Sequence, residues 1–102
     1  MRLKLYRTVY FCNGYDNDVL SATYEDAVSK VFHLDDILAD NYGGIREADI
    51  YEVEYEVDFT QNVLNGIMSD FHGNICMYVQ CCEYNLVCCS SKKVASMEFP
   101  QE

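Results

Sequence analysis

The segment Tyr51-Glu52-Val53-Glu54-Tyr55-Glu56-Val57-Asp58-Phe59 alternates apolar and acidic side chains without a break. A period of two is the pattern of a half-buried β-strand. We therefore predict a strand over residues 51–59, with its apolar face against a core. The acidic face would carry a row of carboxylates about 20 Å long, because alternate strand residues are about 6.6–6.8 Å apart.

On the N-terminal side of this segment, the sequence predicts a hairpin followed by a helix. Residues 3–12 alternate, Asn13-Gly14 is a strong turn signal, and a short return strand runs to Ala22. The run Thr23-Tyr-Glu-Asp26 has the form of a capping box, and Gly43-Gly44 supplies a helix stop. The helix between them is amphipathic, and its outer stripe consists of Glu25, Ser29, His33, Asp36 and Asp40.

On the C-terminal side, apolar residues at helical spacing predict a second short helix around residues 60–71. Strands are predicted at Ile75–Cys82, Leu86–Cys89 and Val94–Phe99. These elements favour an α+β fold, with a mostly antiparallel sheet of four to six strands and two short helices on one face. Residues 1–99 would form one globular domain, followed by a loose end at residues 100–102.

The net charge of −10 is concentrated in one region, because thirteen of the seventeen carboxylates lie between Asp16 and Asp58. Direct binding to nucleic acid or to an anionic membrane is not expected, since the phosphate-driven part of such affinities would be repulsive. No apolar run is long enough to span a bilayer, and basic residues interrupt the apolar runs at the N-terminus. A cytoplasmic protein is predicted.

The stability of the fold does not explain the predicted acidic surfaces, because each of them is expected to be destabilising. Glu and Asp are poor strand formers, like charges on one strand face repel, and carboxylates near a helix C-terminus oppose the helix dipole. We therefore predict that these carboxylates bind a partner. The predicted partner-binding residues are Glu52, Glu54, Glu56 and Asp58, with Asp36 and Asp40 as a second patch.

Two features qualify this prediction. Arg2 and Lys4 lie on the polar face of the first strand and would neutralise part of the row if that strand were its neighbour. If the helix and the acidic strand shared one core, the helix stripe and the row would also point to opposite sides of the domain.

In size, charge and lack of catalytic motifs, the chain resembles the small acidic inhibitors that phages and mobile elements make against restriction or CRISPR nucleases. The resemblance extends to no motif. It implies a non-enzymatic inhibitor that occupies the basic surface of a nucleic-acid-binding protein or nuclease, as a nucleic-acid mimic.

The six cysteines support a different class of function, a cysteine-rich intracellular metal or redox module. A zinc site from Cys76, Cys82, Cys88 and His72 would need favourable strand pairing, and adjacent cysteines of a strand point to opposite faces. A Cys–His–Asp triad from Cys76 or Cys88 with His72 and Asp70 would need geometry that sequence does not show. Buried free thiols explain the same cysteines, so no catalytic residue, metal or cofactor is predicted. A third alternative is a structural or assembly protein that forms a homodimer through an exposed strand edge.

Overall fold

The computed structural model describes residues 1–82 and 85–99, with the side chains of residues 40–42 outside the described part. In this described part the chain forms a four-stranded antiparallel sheet and three helices, which confirms the α+β fold. The strand order is β2-β1-β3-β4. The elements are β1 (Arg2–Cys12), β2 (Tyr15–Ser21), α1 (Tyr24–Tyr42), β3 (Glu47–Glu56), α2 (Gln61–Asp70), α3 (Ile75–Cys82) and β4 (Val87–Glu98).

The hairpin and the first helix form where the sequence predicts them. Asn13 and Gly14 both have positive φ, 53° and 81°, the combination that a type I′ turn between two strands requires. The Thr23 hydroxyl caps α1 by accepting a hydrogen bond of 3.1 Å from the Asp26 amide. At the other end Gly43, with φ 77°, is the C-cap.

The helices cover both faces of the sheet, so the expectation of helices on one face is wrong. Val31 of α1 packs with Ile45 and Ala48, whereas Val79 of α3 packs with Val53 and Tyr55. Ala48 and Val53 point to opposite faces, because side chains alternate along a strand and β3 pairs with β1 without a register shift. We call these the α1 face and the α3 face, and each helix covers only one half of its face.

The same partial coverage of each sheet face is seen along β1. The residues Leu3, Leu5, Val9 and Phe11 share the α3 face, as their alternation predicts, but only Leu3 and Leu5 join the core cluster there. Val9 and Phe11 lie outside both clusters and are half-buried. A strand that passes between two offset helices thus buries opposite faces at its two ends.

The segment Ile75–Cys82 is α3, so the strand predicted there is wrong. Its β-branched and aromatic residues favour a strand by propensity. Tertiary packing overrides that preference, because one helical face places Val79 fully in the core. Asn74 supplies the start signal, since its Oδ1 accepts a hydrogen bond of 3.1 Å from the Met77 amide. The second helix, predicted around 60–71, is confirmed as α2.

The last two predicted strands, Leu86–Cys89 and Val94–Phe99, are one strand, β4, which pairs with β3 along its whole length. Two register shifts leave Cys89 and Val94 opposite no residue of β3, and these bulges interrupt the alternation that the sequence shows. Residues 83 and 84, which precede this strand, and the loose end predicted at 100–102 lie outside the described residues.

Candidate interaction surface

Three of the four glutamates of β3, Glu52, Glu54 and Glu56, form a row on the α1 face, in the half that α1 leaves uncovered. Each has a cationic neighbour. Glu52 Oε1 lies 3.4 Å from Lys4 Nζ and Glu54 Oε2 lies 3.6 Å from Arg2 Nη1, while Glu56 Oε1 accepts a hydrogen bond of 2.6 Å from the N-terminal ammonium. On the other side, the register places Lys92 of β4 opposite Glu52. We call Glu52, Glu54 and Glu56 the glutamate row.

The pKa values reflect these pairs. A hydrogen bond from the N-terminal ammonium, and its charge, hold the pKa of Glu56 below its usual range. The hydrogen bond and charge of Glu52 raise the pKa of Lys4. Exposed ion pairs of this kind contribute little to stability, but they cancel the local charge. The glutamate row is therefore a band of alternating charge, and the neutralisation by Arg2 and Lys4 that the sequence left open does occur.

Asp58 does not belong to the row. The predicted strand 51–59 is shifted, because β3 runs from Glu47 to Glu56 and ends before Asp58. The apolar alternation continues beyond the strand because Val57 and Phe59 still pack against the core, without pairing as a strand. The pattern of the sequence therefore reports burial at 57 and 59 and does not mark where the strand ends.

The helix stripe lies on the same side of the domain as the glutamate row, contrary to the arrangement expected for a single core. α1 packs on the α1 face, so its outer stripe points away from the sheet on that side. Asp36 is exposed on this stripe. Asp40 lies in the same helix, but its side chain is outside the described part. Two offset cores, rather than one, account for the difference.

A second line of carboxylates crosses the opposite face at the end of the sheet nearest the β1–β2 turn. Asp16 pairs in register with Phe11, Phe11 with Glu47, and Glu47 with Glu98, so side chains from all four strands stand side by side. All three acidic residues are exposed. Among the described residues, none of the three forms an ion pair. We call Asp16, Glu47 and Glu98 the end row.

The end row is electrostatically unfavourable. Glu47 and Glu98 are direct cross-strand neighbours, and residues in that position have Cβ atoms about 4.5–5.5 Å apart, where like charges destabilise a sheet. In the next row along the strands, the carboxylates are paired: Asp18 with Arg7 at 3.0 Å and Asp49 with Lys93 at 3.4 Å. Charge compensation therefore stops at the last row of the sheet.

The end row and the exposed Asp36 lie at the same end of the molecule, on opposite faces. The C-terminal half of α1 reaches this end, because Leu38 lines a shallow cavity together with Tyr10, Cys12 and Tyr15 of the hairpin. The end row could not be predicted from the sequence, since its members are 31 and 51 residues apart and belong to three different strands. Only the strand register brings them together. We call Asp36 and the end row the acidic end.

The cysteines do not form a metal site among the described residues. No group of three or more Cys, His, Asp or Glu side chains there could hold a metal ion. Cys12 is buried, as expected of a thiol that serves as a small apolar side chain, but Cys81, Cys88 and Cys89 are exposed. The expectation of burial is wrong for these three because α3 turns Cys81 outward and β4 is an edge strand.

The exposure of the cysteines predicts how fast each reacts with a thiol reagent such as a disulfide-based chromophore. Cys81, Cys88 and Cys89 should react rapidly in the folded protein. Cys12 should react only on unfolding because it is buried, and Cys76 should react more slowly than the three exposed cysteines because burial raises the pKa of its thiol. Mass spectrometry of the labelled peptides identifies the sites, and equal labelling of all cysteines at early times would contradict the assignment.

Neither Asp70 nor His72 makes a side-chain hydrogen bond to another described residue, so the triad drawn with Cys76 or Cys88 has no support in the described geometry. None of the described helices has the length and apolar character needed to cross a membrane. Comparisons with family models, curated proteins and solved structures give no match.

Proposed function

We propose that this chain is a non-enzymatic interaction protein that binds the basic surface of a nucleic-acid-binding protein or nuclease, and that the acidic end makes the contact. The observation that carries the proposal is the end row. Three exposed carboxylates stand in one line across the sheet without a described counter-ion, although the carboxylates of the adjacent row and of the glutamate row are paired.

The end row does not stabilise the fold, but it can favour electrostatic attraction of a partner. Unpaired carboxylates on a protein surface attract a basic partner at long range and increase the association rate. Phosphates on nucleic acid do the same, so a protein built to hold DNA or RNA has a suitable surface. The chain would act as a nucleic-acid mimic that inhibits such a partner by occupying its binding groove.

Under this proposal, the partner-binding carboxylates predicted from the sequence fall into two groups. Asp36 is part of the acidic end, whereas Glu52, Glu54 and Glu56 lie among cations and add little net charge. For the glutamate row to contact the same partner, each glutamate would have to leave its present cation and pair with a cation of the partner. The net attraction then comes from the acidic end.

The test begins with capture of the partner by the immobilised protein from a lysate of its native cells, with competing DNA and rising salt. A retained nucleic-acid-binding protein should be displaced by both, because screening weakens attraction between exposed charges. The identified partner is then titrated against the parent protein, a Glu47→Gln/Glu98→Gln variant and a Glu52→Gln/Glu54→Gln variant. The two variants lose the same formal charge.

The affinity of the end-row variant should be lower than that of the parent by about tenfold or more. The affinity of the glutamate-row variant should stay within about threefold of the parent. Thermal unfolding supplies the control. The end-row variant should be as stable as the parent or up to about 0.5 kcal/mol more stable, because it loses a like-charge pair. Retention that ignores DNA and salt would rule out the proposed function. Equal losses in the two variants would place the contact elsewhere.

A further inference from the structure

The sheet has three stretches of edge, and two of them are protected. Along β2, the carbonyls of Asp18 and Leu20 accept hydrogen bonds from the side chains of Gln80, at 3.4 Å, and Lys30, at 2.9 Å. Along β4, two bulges and the adjacent Lys92 and Lys93 oppose the addition of another strand. These are common ways of blocking an edge against pairing with another chain.

The third stretch is the N-terminal part of β1. Its pairing with β2 begins at Tyr6 and Ser21, because the chain leaves the sheet there to enter α1. Among residues 1–82 and 85–99, Arg2–Leu5 therefore have a strand partner only on the β3 side. The amide of Val57 donates to the carbonyl of Met1 at 2.9 Å, so odd-numbered residues of β1 bond toward β3. By alternation, the amides and carbonyls of Arg2 and Lys4 point to the open edge.

A cavity of about 370 Å³ lies beside this open edge. It is lined mainly by apolar side chains, with Leu3 and Leu5 from β1, Ala22 after β2, and Ile75 and Cys76 from α3. Leu3 and Leu5 line it from the α3 face, so every second residue of a strand added at the edge would point into it. The intervening residues would lie beside Arg2 and Lys4, whose side chains are 66% and 51% exposed.

We propose that the open edge of Arg2–Leu5 binds an extended segment of a partner protein that alternates acidic and apolar residues. Backbone hydrogen bonds to Arg2 and Lys4 would add the segment to the sheet, an apolar side chain would fill the cavity, and acidic side chains would face Arg2 and Lys4. The cations would then lie between two rows of carboxylates. This site is separate from the acidic end, and it does not depend on the proposed function.

A second copy of this chain fits the edge poorly. In an antiparallel pairing of two such edges, the outward-bonding residues of both copies would be Arg2 and Lys4. Every register that pairs them within the segment places a cation opposite a cation, which disfavours the dimer. Charge complementarity therefore selects an acidic partner segment, and not a homodimer.

The test uses a fluorescent six-residue peptide that alternates glutamate with leucine, with a lysine–leucine peptide as its comparison. Fluorescence anisotropy at physiological ionic strength should show saturable binding of the acidic peptide and about tenfold weaker binding of the basic one. Amide exchange measured by NMR should slow at Lys4 when the acidic peptide is added, with little change at Leu5, whose amide already faces β3.

Two variants of α3 separate binding at the cavity from a general effect of charge. Ile75, which lines the cavity, is 37% exposed, and Met77 is 50% exposed on the same helix without lining the cavity. Ile75→Asp should weaken binding of the acidic peptide about tenfold, whereas Met77→Asp should change it by less than about twofold. The Glu47→Gln/Glu98→Gln variant should bind the peptide like the parent.

Four results would overturn the proposal. The first three are failure of the acidic peptide to bind the folded parent protein, equal effects of the two α3 substitutions, and unchanged exchange at Lys4. The fourth is a dimer in light scattering that dissociates on Lys4→Glu substitution, which would assign the edge to a second copy.

Discussion

Replacing Ile45 by alanine should lower the free energy of unfolding by about 2–5 kcal/mol, the usual range for removing a fully buried large aliphatic side chain. Ile45 is inaccessible to solvent and packs with Val31 and Ala48 in the cluster under α1. That cluster is small, so the cavity has few neighbours that could move to fill it. Urea unfolding followed by circular dichroism measures the change, against a total stability of about 5–15 kcal/mol for a domain.

Ile37 provides the matched control, because its side chain is 54% exposed on α1. Ile37→Ala should change the free energy of unfolding by less than about 0.5 kcal/mol. The two substitutions remove the same atoms, so their difference reports burial. Similar effects of both would contradict the position of α1 on the sheet.

Replacing Gly44 by alanine should destabilise the fold by about 3 kcal/mol, the sum of two costs. Gly44 has φ +85°, a conformation that side chains oppose, and an added Cβ would lie 2.5 Å from Asp35 Oδ1. The same oxygen accepts a hydrogen bond of 2.8 Å from the Ile45 amide. The Asp35 side chain would have to move and lose that hydrogen bond. Denaturant unfolding of the variant measures the total.

Gly43 and Asp35 supply the controls for this prediction. Gly43 has a similar φ of 77°, but an added Cβ would meet nothing within 4 Å. Gly43→Ala should therefore cost only the conformational part, about 1–2 kcal/mol. In an Asp35→Ala/Gly44→Ala double variant the clash disappears, so the combined cost should be less than the sum of the single costs by about 1 kcal/mol or more. Additive costs would exclude the clash.

Elements with a strong local signal could be predicted from the sequence. The β1–β2 hairpin follows from Asn13-Gly14, and the start of α1 follows from Thr23. The inner and outer faces of α1 follow from its period, with Ala27 and Val31 buried and Ser29 and His33 exposed. Asp35 accepts a hydrogen bond from the Ile45 amide, a contact that local periodicity cannot show.

Elements whose local preference competes with packing were not predicted. The segment of α3 has strand-forming residues, yet it is helical because the core requires Val79 and Tyr78 on one side. The predicted strand lies several residues C-terminal to β3, because Ala48 and Ile50 bury one face of the strand and Val53 and Tyr55 bury the other. A pattern with a single apolar face includes Val53 and Tyr55 but not Ala48 and Ile50.

By itself, the sequence determined the alternation of β3, the amphipathic α1 and the concentration of acid between Asp16 and Asp58, because each depends only on residue order along a short segment. The tertiary structure alone decided which carboxylates lie beside a cation. Coulomb interactions depend on distance in space, and strand register sets that distance. Register placed Arg2 and Lys4 against the glutamate row, and it placed Glu98 beside Glu47 with no cation between them.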